Sequence, residues 1–221
     1  MPQPSEPLEP WLEELLQSGE GRKLTAKQLK ILESAVEVFA EKGYAAASTS
    51  EIAQMAGVAE GTIFRHYKTK KELLLSIVTP MMGKLLAPFI LNNFNEVLEQ
   101  DYPTFEDFLR AVLHNRLAFA RKHLKIIKIL LQEIPFQPAL KEQFIEHIGV
   151  KIYDRFELVI KHFQDKGELI EVPSFTAIRF TASSAVGLFV MHLMLAPDMP
   201  WDEEKEIEMT IQLIMHGLAA K

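Results

Sequence analysis

The 221-residue chain contains no cysteine, which excludes disulfide bonds and metal sites with thiolate ligands. No secretory signal is evident, because the N-terminal segment is rich in proline and glutamate and has no apolar run behind a basic start. One uncharged run, residues 180–197, is long enough to suggest a membrane span, but Thr181, Ser183, Ser184 and His192 favour a buried protein helix. These absences indicate a cytoplasmic protein.

Catalytic signatures are also missing. The sequence has no Gly-x-Ser-x-Gly, no glycine-rich phosphate loop, no His-Glu-x-x-His and no Glu-x-x-His. Its seven histidines are scattered, and a lone histidine on an apolar helix is usually a hydrogen-bonded core residue. We therefore expect no enzymatic activity, no cofactor and no metal. Alternating strand patterns are absent too, so the predicted fold class is all-α.

The net charge of −6 is unevenly distributed. Residues 1–21 carry five acids and no base, whereas residues 22–72 carry nine Lys or Arg against six Glu, a net +3. A basic segment within an acidic chain is typical of a nucleic-acid-binding domain. The alternative is an accidental fluctuation on a solvated surface.

The stretch 49–70 predicts two short helices and a tight turn. Thr49 is the expected N-cap of a helix over 50–56, and Gly57 permits the left-handed geometry that ends this helix. The second helix begins at Glu60. Together they are typical of a helix-turn-helix, in which the second helix enters the DNA major groove.

Two such short helices need support, because helix nucleation costs more than so few hydrogen bonds return. The supporting helix is predicted over 26–42, where Thr25 and Gln28 form a capping box. A further helix is predicted to start at Lys70, capped by Thr69, and to run toward Glu99.

Position on the second helix assigns the expected base contacts. Thr62 and Arg65 should face base edges, and arginine can bind guanine through O6 and N7. Glu60 could accept a hydrogen bond from a cytosine amine, and Gly61 lets the backbone come close. Phe64 is expected against sugar or a thymine methyl. The alternative for Arg65 is a surface salt bridge with Glu60 or another nearby acid.

Other residues should fix the position of the motif on the DNA. We expect phosphate contacts from Thr49, His66, Lys68 and Lys70, and Ser50 is included in the predicted DNA-binding set.

The run from Gly57 to Leu74 resembles the signature of the tetracycline-repressor (TetR) family, and the resemblance covers roughly residues 25–75. Two residues depart from the common pattern. Ala59 stands where a serine usually caps the recognition helix, and Phe64 stands where a tyrosine usually offers its hydroxyl to a phosphate.

The resemblance implies a C-terminal sensor domain, in which a small molecule enters a cavity and changes the distance between two recognition helices. An apolar ligand with a few polar anchors is expected, although a residue of each of these kinds is more often simply part of the core. The candidate lining residues are Phe89, Phe94, His114, Phe119, His123, Tyr153, Met191 and His192.

The last two helices are the most apolar, which fits either a plain core or a dimer interface. The resemblance favours a homodimer built on these helices. A dimer also suits DNA, because two recognition helices about 34–36 Å apart reach successive major-groove faces.

Three regions are therefore predicted: an acidic N-terminal extension over 1–24, a DNA-binding domain over 25–70, and a ligand-binding and dimerisation domain over 71–221. The expected function is a ligand-responsive transcriptional regulator, most simply a repressor, whose partners are an operator, an effector and a second copy of the chain. The alternatives are an activator or global regulator without an inducer, and a helical small-molecule-binding protein that no longer reads DNA.

Overall fold

The computed structural model describes residues 24–80 and 102–218, and these form ten α-helices and no β-strand. The all-α prediction is confirmed. The helices are α1 Ala26–Ala46, α2 Thr49–Ala56, α3 Glu60–His66, α4 Lys70–Pro80, α5 Phe105–Lys122, α6 Leu124–Glu133, α7 Pro138–Phe144, α8 Val150–Asp165, α9 Ser174–Val190 and α10 Glu203–Leu218. A π-helical turn, Ile145–Gly149, joins α7 to α8, and another, Met191–Leu195, extends α9.

Two compact units divide the chain. Within the described residues, the first contains 24–80 and 123–147, and the second contains 102–122 and 148–218. The sequence predicted a boundary at residue 70, and whether that boundary separates DNA binding from ligand binding stays a prediction.

The first unit is built around α1, which packs against α2, α4 and α6. Thr25 and Gln28 form the predicted capping box at its start. Leu32 and Phe39 are buried, as the helical spacing predicts. Gly43 interrupts the helix with φ 77°, close to the predicted end, and one further turn follows before Ala47.

The second unit has a core shared by α5, α8, α9 and α10. Its fully buried side chains include Phe105, Phe108 and Ile211, and aromatic contacts such as Phe105 with Phe163 (5.4 Å between ring centres) link the helices. The caps follow the sequence. Thr104 accepts from the Asp107 N–H, Asp202 accepts from the Lys205 N–H, and Gly167 takes φ 75° after α8.

Helix α9 and its π-helical turn, Ser174–Leu195, are less buried than the sequence suggests. By length and composition alone this segment could cross a membrane (mean hydropathy 1.5), yet only 6% of its apolar window is buried within the chain. Only Ala177 and Thr181 are buried in α9 itself. Of the two readings left open for the last helices, a plain core within one chain therefore does not account for most of this segment.

Candidate nucleic-acid interface

The turn between α2 and α3 has the predicted geometry. Gly57 adopts φ 66° and ψ 35°, a left-handed conformation that favours glycine. The Val58 N–H then donates to the Ala53 carbonyl at 3.0 Å, which closes the C-terminal end of α2. Helix α3 begins at Glu60, where the sequence places the recognition helix.

The N-cap of α2 is Ser48, so the prediction that Thr49 caps this helix is wrong. The Ser48 hydroxyl accepts from the Glu51 N–H at 3.1 Å. Thr49 lies inside the helix, and its hydroxyl donates to the Glu60 carboxylate at 2.6 Å. This bond ties the first turn of α2 to the first turn of α3, whose N-cap residue, Ala59, provides no side-chain cap.

Helix α3 is anchored by one side and exposed on the other. Ile63 and Tyr67 are 1% and 8% exposed and face the core of the first unit. Burial raises the pKa of the Tyr67 phenol, so it stays neutral and packs as a core residue. Glu60, Gly61, Phe64, Arg65 and His66 are exposed, and Thr62 is half-buried.

Arg65 is available for a ligand. Within the described part of the chain its guanidinium has no hydrogen-bond or ion-pair partner. The alternative of a salt bridge with Glu60 is not realised in this structure, since that carboxylate bonds to Thr49. Five N–H donors therefore face solvent on the recognition helix.

The start of α4 combines a cap with a second carboxylate contact. The Thr69 hydroxyl accepts from the Glu72 N–H at 3.0 Å, as predicted. The Glu72 carboxylate accepts from the Lys68 N–H at 2.8 Å, one residue before the position of an ordinary capping box. The Lys68 side chain is exposed and retains its charge for an external partner.

Lys70 is the predicted phosphate ligand that the structure places elsewhere. Its ammonium donates to the carbonyl oxygens of Tyr44 (2.7 Å), Ala45 (3.3 Å) and Ala47 (2.8 Å). We therefore leave Lys70 out of the proposed phosphate contacts, because reaching DNA would break these bonds.

The predicted effector-binding residues that the structure describes have different surroundings. Phe89 and Phe94 lie outside the described residues. His123 is buried in the first unit, whereas Phe119 lies under the Arg116 guanidinium (5.3 Å) in the second. His114 lies beside Glu204, Tyr153 contacts Phe175, and Met191 is exposed.

His192 is the one predicted residue that lines a cavity found among the described residues. The cavity has a volume of about 10 Å³ and lies between α5, α9 and the start of α10. Sequence reasoning missed its other lining residues, because three are leucine or isoleucine of ordinary apolar stripes and the other three lie in or soon after the turn before α10. They are Leu117, Leu188, Trp201, Glu203, Glu206 and Ile207.

A polar network surrounds that cavity. Arg121 contacts both the Nε2 atom of His192 (3.0 Å) and the Glu203 carboxylate (3.1 Å). The hydrogen bond from Arg121 lowers the pKa of the Glu203 carboxyl. The His192 ring meets the Trp201 indole edge to face at 4.8 Å. This geometry fixes the imidazole beside the apolar cavity.

Within residues 24–80 and 102–218, no group of three or more His, Cys, Asp or Glu side chains is arranged to hold a metal ion.

Residues 31–77 match the family model for bacterial regulatory proteins of the tetR family. Over 60 residues the chain is 43% identical to the fatty acid metabolism regulator protein of Bacillus subtilis (strain 168), a match that covers 27% of this chain and 31% of that protein. The uncharacterized HTH-type transcriptional regulator YvkB of the same organism is 28% identical over 200 residues, which cover 86% of this chain and 96% of that protein.

The fold is also similar to that of a solved regulator. The structure of FadR from Bacillus subtilis in complex with stearoyl-CoA superimposes with a TM-score of 0.63 at 22% identity, covering 86% of this chain and 98% of that one.

Proposed function

We propose that this chain, which belongs to the tetR family of bacterial regulatory proteins, is a cytoplasmic homodimeric repressor that a small, largely apolar molecule releases from its operator. The observation that supports DNA reading most directly is the exposed face of α3. Its arginine has no partner in the described chain, while Ile63 and Tyr67 hold the helix to the core.

The proposed contacts separate into two groups. Arg65, Thr62 and Glu60 read base edges, since they lie in or near the first two turns of a helix presented to the major groove. A carboxylate offers more acceptor sites than Thr49 uses, so Glu60 can still accept from a cytosine. The proposed residues that fix the register through phosphate or sugar are Thr49, Ser50, Gly61, Phe64, His66 and Lys68.

Dimerisation is proposed through α9 and α10, which lie side by side. Large apolar side chains remain exposed on α9, on the π-helical turn that extends it and on α10, and exposed apolar patches mark interaction sites. A second copy related by a two-fold axis would cover both faces at once. The exposed residues are Phe175 at 60%, Val186 at 48%, Leu195 at 68%, Met209 at 50% and Leu213 at 67%.

The effector is proposed to be small and largely apolar, with a polar group that meets His192. The cavity beside this residue is lined by Leu117, Leu188 and Ile207, and its volume of about 10 Å³ is roughly the space that one water molecule needs. The proposal therefore requires these side chains to move apart when the effector enters. A 100-fold loss of operator affinity on effector binding requires a coupling of only about 2.7 kcal/mol.

Selection of bound sequences from random double-stranded DNA with the purified full-length chain tests the proposal. A two-fold symmetric consensus is expected, with binding that falls steeply as salt rises, because ions replace phosphate contacts. Acyl compounds and other apolar molecules that raise the melting temperature of the chain should then weaken binding to this consensus. Failure to enrich any sequence would leave only the alternative of a ligand-binding protein, and a footprint upstream of the promoter would indicate an activator.

A further inference from the structure

Lys70 places a positive charge at the start of α4, where the helix dipole disfavours cations. Its ammonium turns away from that helix end. It reaches three carbonyl oxygens, those of Tyr44, Ala45 and Ala47, and lies 4.5 Å from the centre of the Tyr44 ring. An ammonium has three N–H donors, so the three acceptors match its full donor set.

The three carbonyls belong to the end of α1 and the residue that follows it. The C-terminal end of a helix carries a partial negative charge, which a basic residue in the last turn usually balances. Helix α1 has no basic residue in its last turn. Lys70 supplies this cation from a position 23 residues beyond Ala47.

This contact lies at a decisive place in the chain. Ala47 immediately precedes Ser48, the N-cap of α2, and Lys70 begins the helix that follows α3. The bond from Lys70 to Ala47 therefore joins the start and the end of the segment 48–69, which contains both helices of the motif.

We propose that Lys70 is a positioning residue, which fixes the orientation of α2 and α3 against α1 and thereby sets the fit of the recognition helix to DNA. It acts through the backbone of residues 44–47 and makes no phosphate contact itself. We call the three bonds from the Lys70 ammonium to the carbonyls of Tyr44, Ala45 and Ala47 the clamp. The inference rests on the proposed DNA-binding function only for its effect on affinity, since the clamp exists in the free protein.

Substitution by methionine and by arginine separates this role from a phosphate contact. Arginine binds phosphate at least as well as lysine, but its planar guanidinium cannot direct three N–H groups at carbonyls arranged around a compact ammonium. The matched control is Lys71→Met, because Lys71 is adjacent, exposed and without a partner in the described chain.

Operator affinity measured across a salt series gives the first readout. Lys70→Met and Lys70→Arg should both lose on the order of tenfold in affinity, with the wild-type slope of log K against log salt. Lys71→Met should stay within about twofold. A retained affinity in Lys70→Arg, together with a slope reduced by about 0.9 per half-site in Lys70→Met, would show a phosphate contact and overturn the proposal.

Amide hydrogen exchange of the free protein gives a readout that needs no DNA. The amides of Ala47 and Ile52, which bond to Gly43 and Ser48, should exchange faster in both Lys70 variants than in Lys71→Met, while amides of α5 and α10 stay protected. Unchanged exchange at residues 47–57 would refute the clamp. If the wild-type chain bound no DNA, while both Lys70 variants still exchanged faster than Lys71→Met, only the proposed function would be refuted.

Discussion

Replacement of Arg65 by alanine is the sharpest test of the recognition helix. The side chain is exposed and has no partner in the described chain, so the free energy of unfolding should change by less than about 0.5 kcal/mol. A bidentate arginine–guanine pair contributes about 1–3 kcal/mol of discrimination. The variant should therefore lose about 5- to 150-fold in affinity for each half-site that carries the contacted guanine.

Fluorescence anisotropy with three duplexes measures this loss. The first carries the selected consensus, the second exchanges one base pair per half-site, and the third is random. Arg65→Ala should bind the first two almost equally, because it no longer distinguishes the exchanged base pair. Lys68→Ala is the matched control. Loss of a phosphate contact should weaken binding to all three duplexes alike and reduce the slope of log K against log salt. An equal loss for Arg65→Ala on consensus and random DNA would show that arginine contacts only phosphate.

Three further changes test other parts of the structure. Ser48→Ala removes the N-cap of α2 and should lower the free energy of unfolding by about 1 kcal/mol in urea titrations. An unchanged urea midpoint would indicate that Thr49, and not Ser48, caps this helix. Leu213 is an apolar residue of α10 that is 67% exposed, and Leu213→Glu replaces it with a charged side chain. The variant should sediment as a folded monomer and bind the operator more weakly. A dimer of wild-type affinity would refute the interface. Arg110 lowers the pKa of the Glu208 carboxyl below its ordinary 4.5, so this pair stabilises the fold above that pH and the stabilisation disappears as the pH falls through the lowered value. Melting temperatures of wild type and Glu208→Gln should therefore differ at pH 7 and converge in acid, and a constant difference would contradict the pairing.

Features set by neighbouring residues could be predicted from the sequence. The capping box of Thr25 and Gln28, the left-handed Gly57 and the cap at Asp202 each depend on side chains and backbone within three residues. Ser48 and Thr49 show the limit of such reasoning. Both are hydroxyl residues that can cap, and the choice depends on the bond from Thr49 to Glu60, which lies eleven residues away.

Contacts between distant segments could not be predicted. A lysine beside the free N–H groups of a helix start suggests a phosphate ligand, and nothing in the local sequence of Lys70 indicates carbonyls 23 to 26 residues earlier. The cavity beside His192 is similar, because Trp201 is placed there by the turn before α10, where its indole N–H donates to the Ala196 carbonyl. The packing of separate elements decides both cases.

The arrangement of charged groups explains how a chain of net charge −6 can present a basic face to DNA. Acids near the motif are held by local partners: Glu51 pairs with Lys42, and the Glu72 carboxylate accepts a backbone N–H. By contrast, Arg65 and Lys68 have no ion-pair partner in the described residues, so no carboxylate contact within the first unit offsets their charges. Screening confines the influence of distant charges to about 8–10 Å at physiological salt. DNA therefore responds to the few side chains beside it, and the acidic remainder of the chain raises solubility without preventing association.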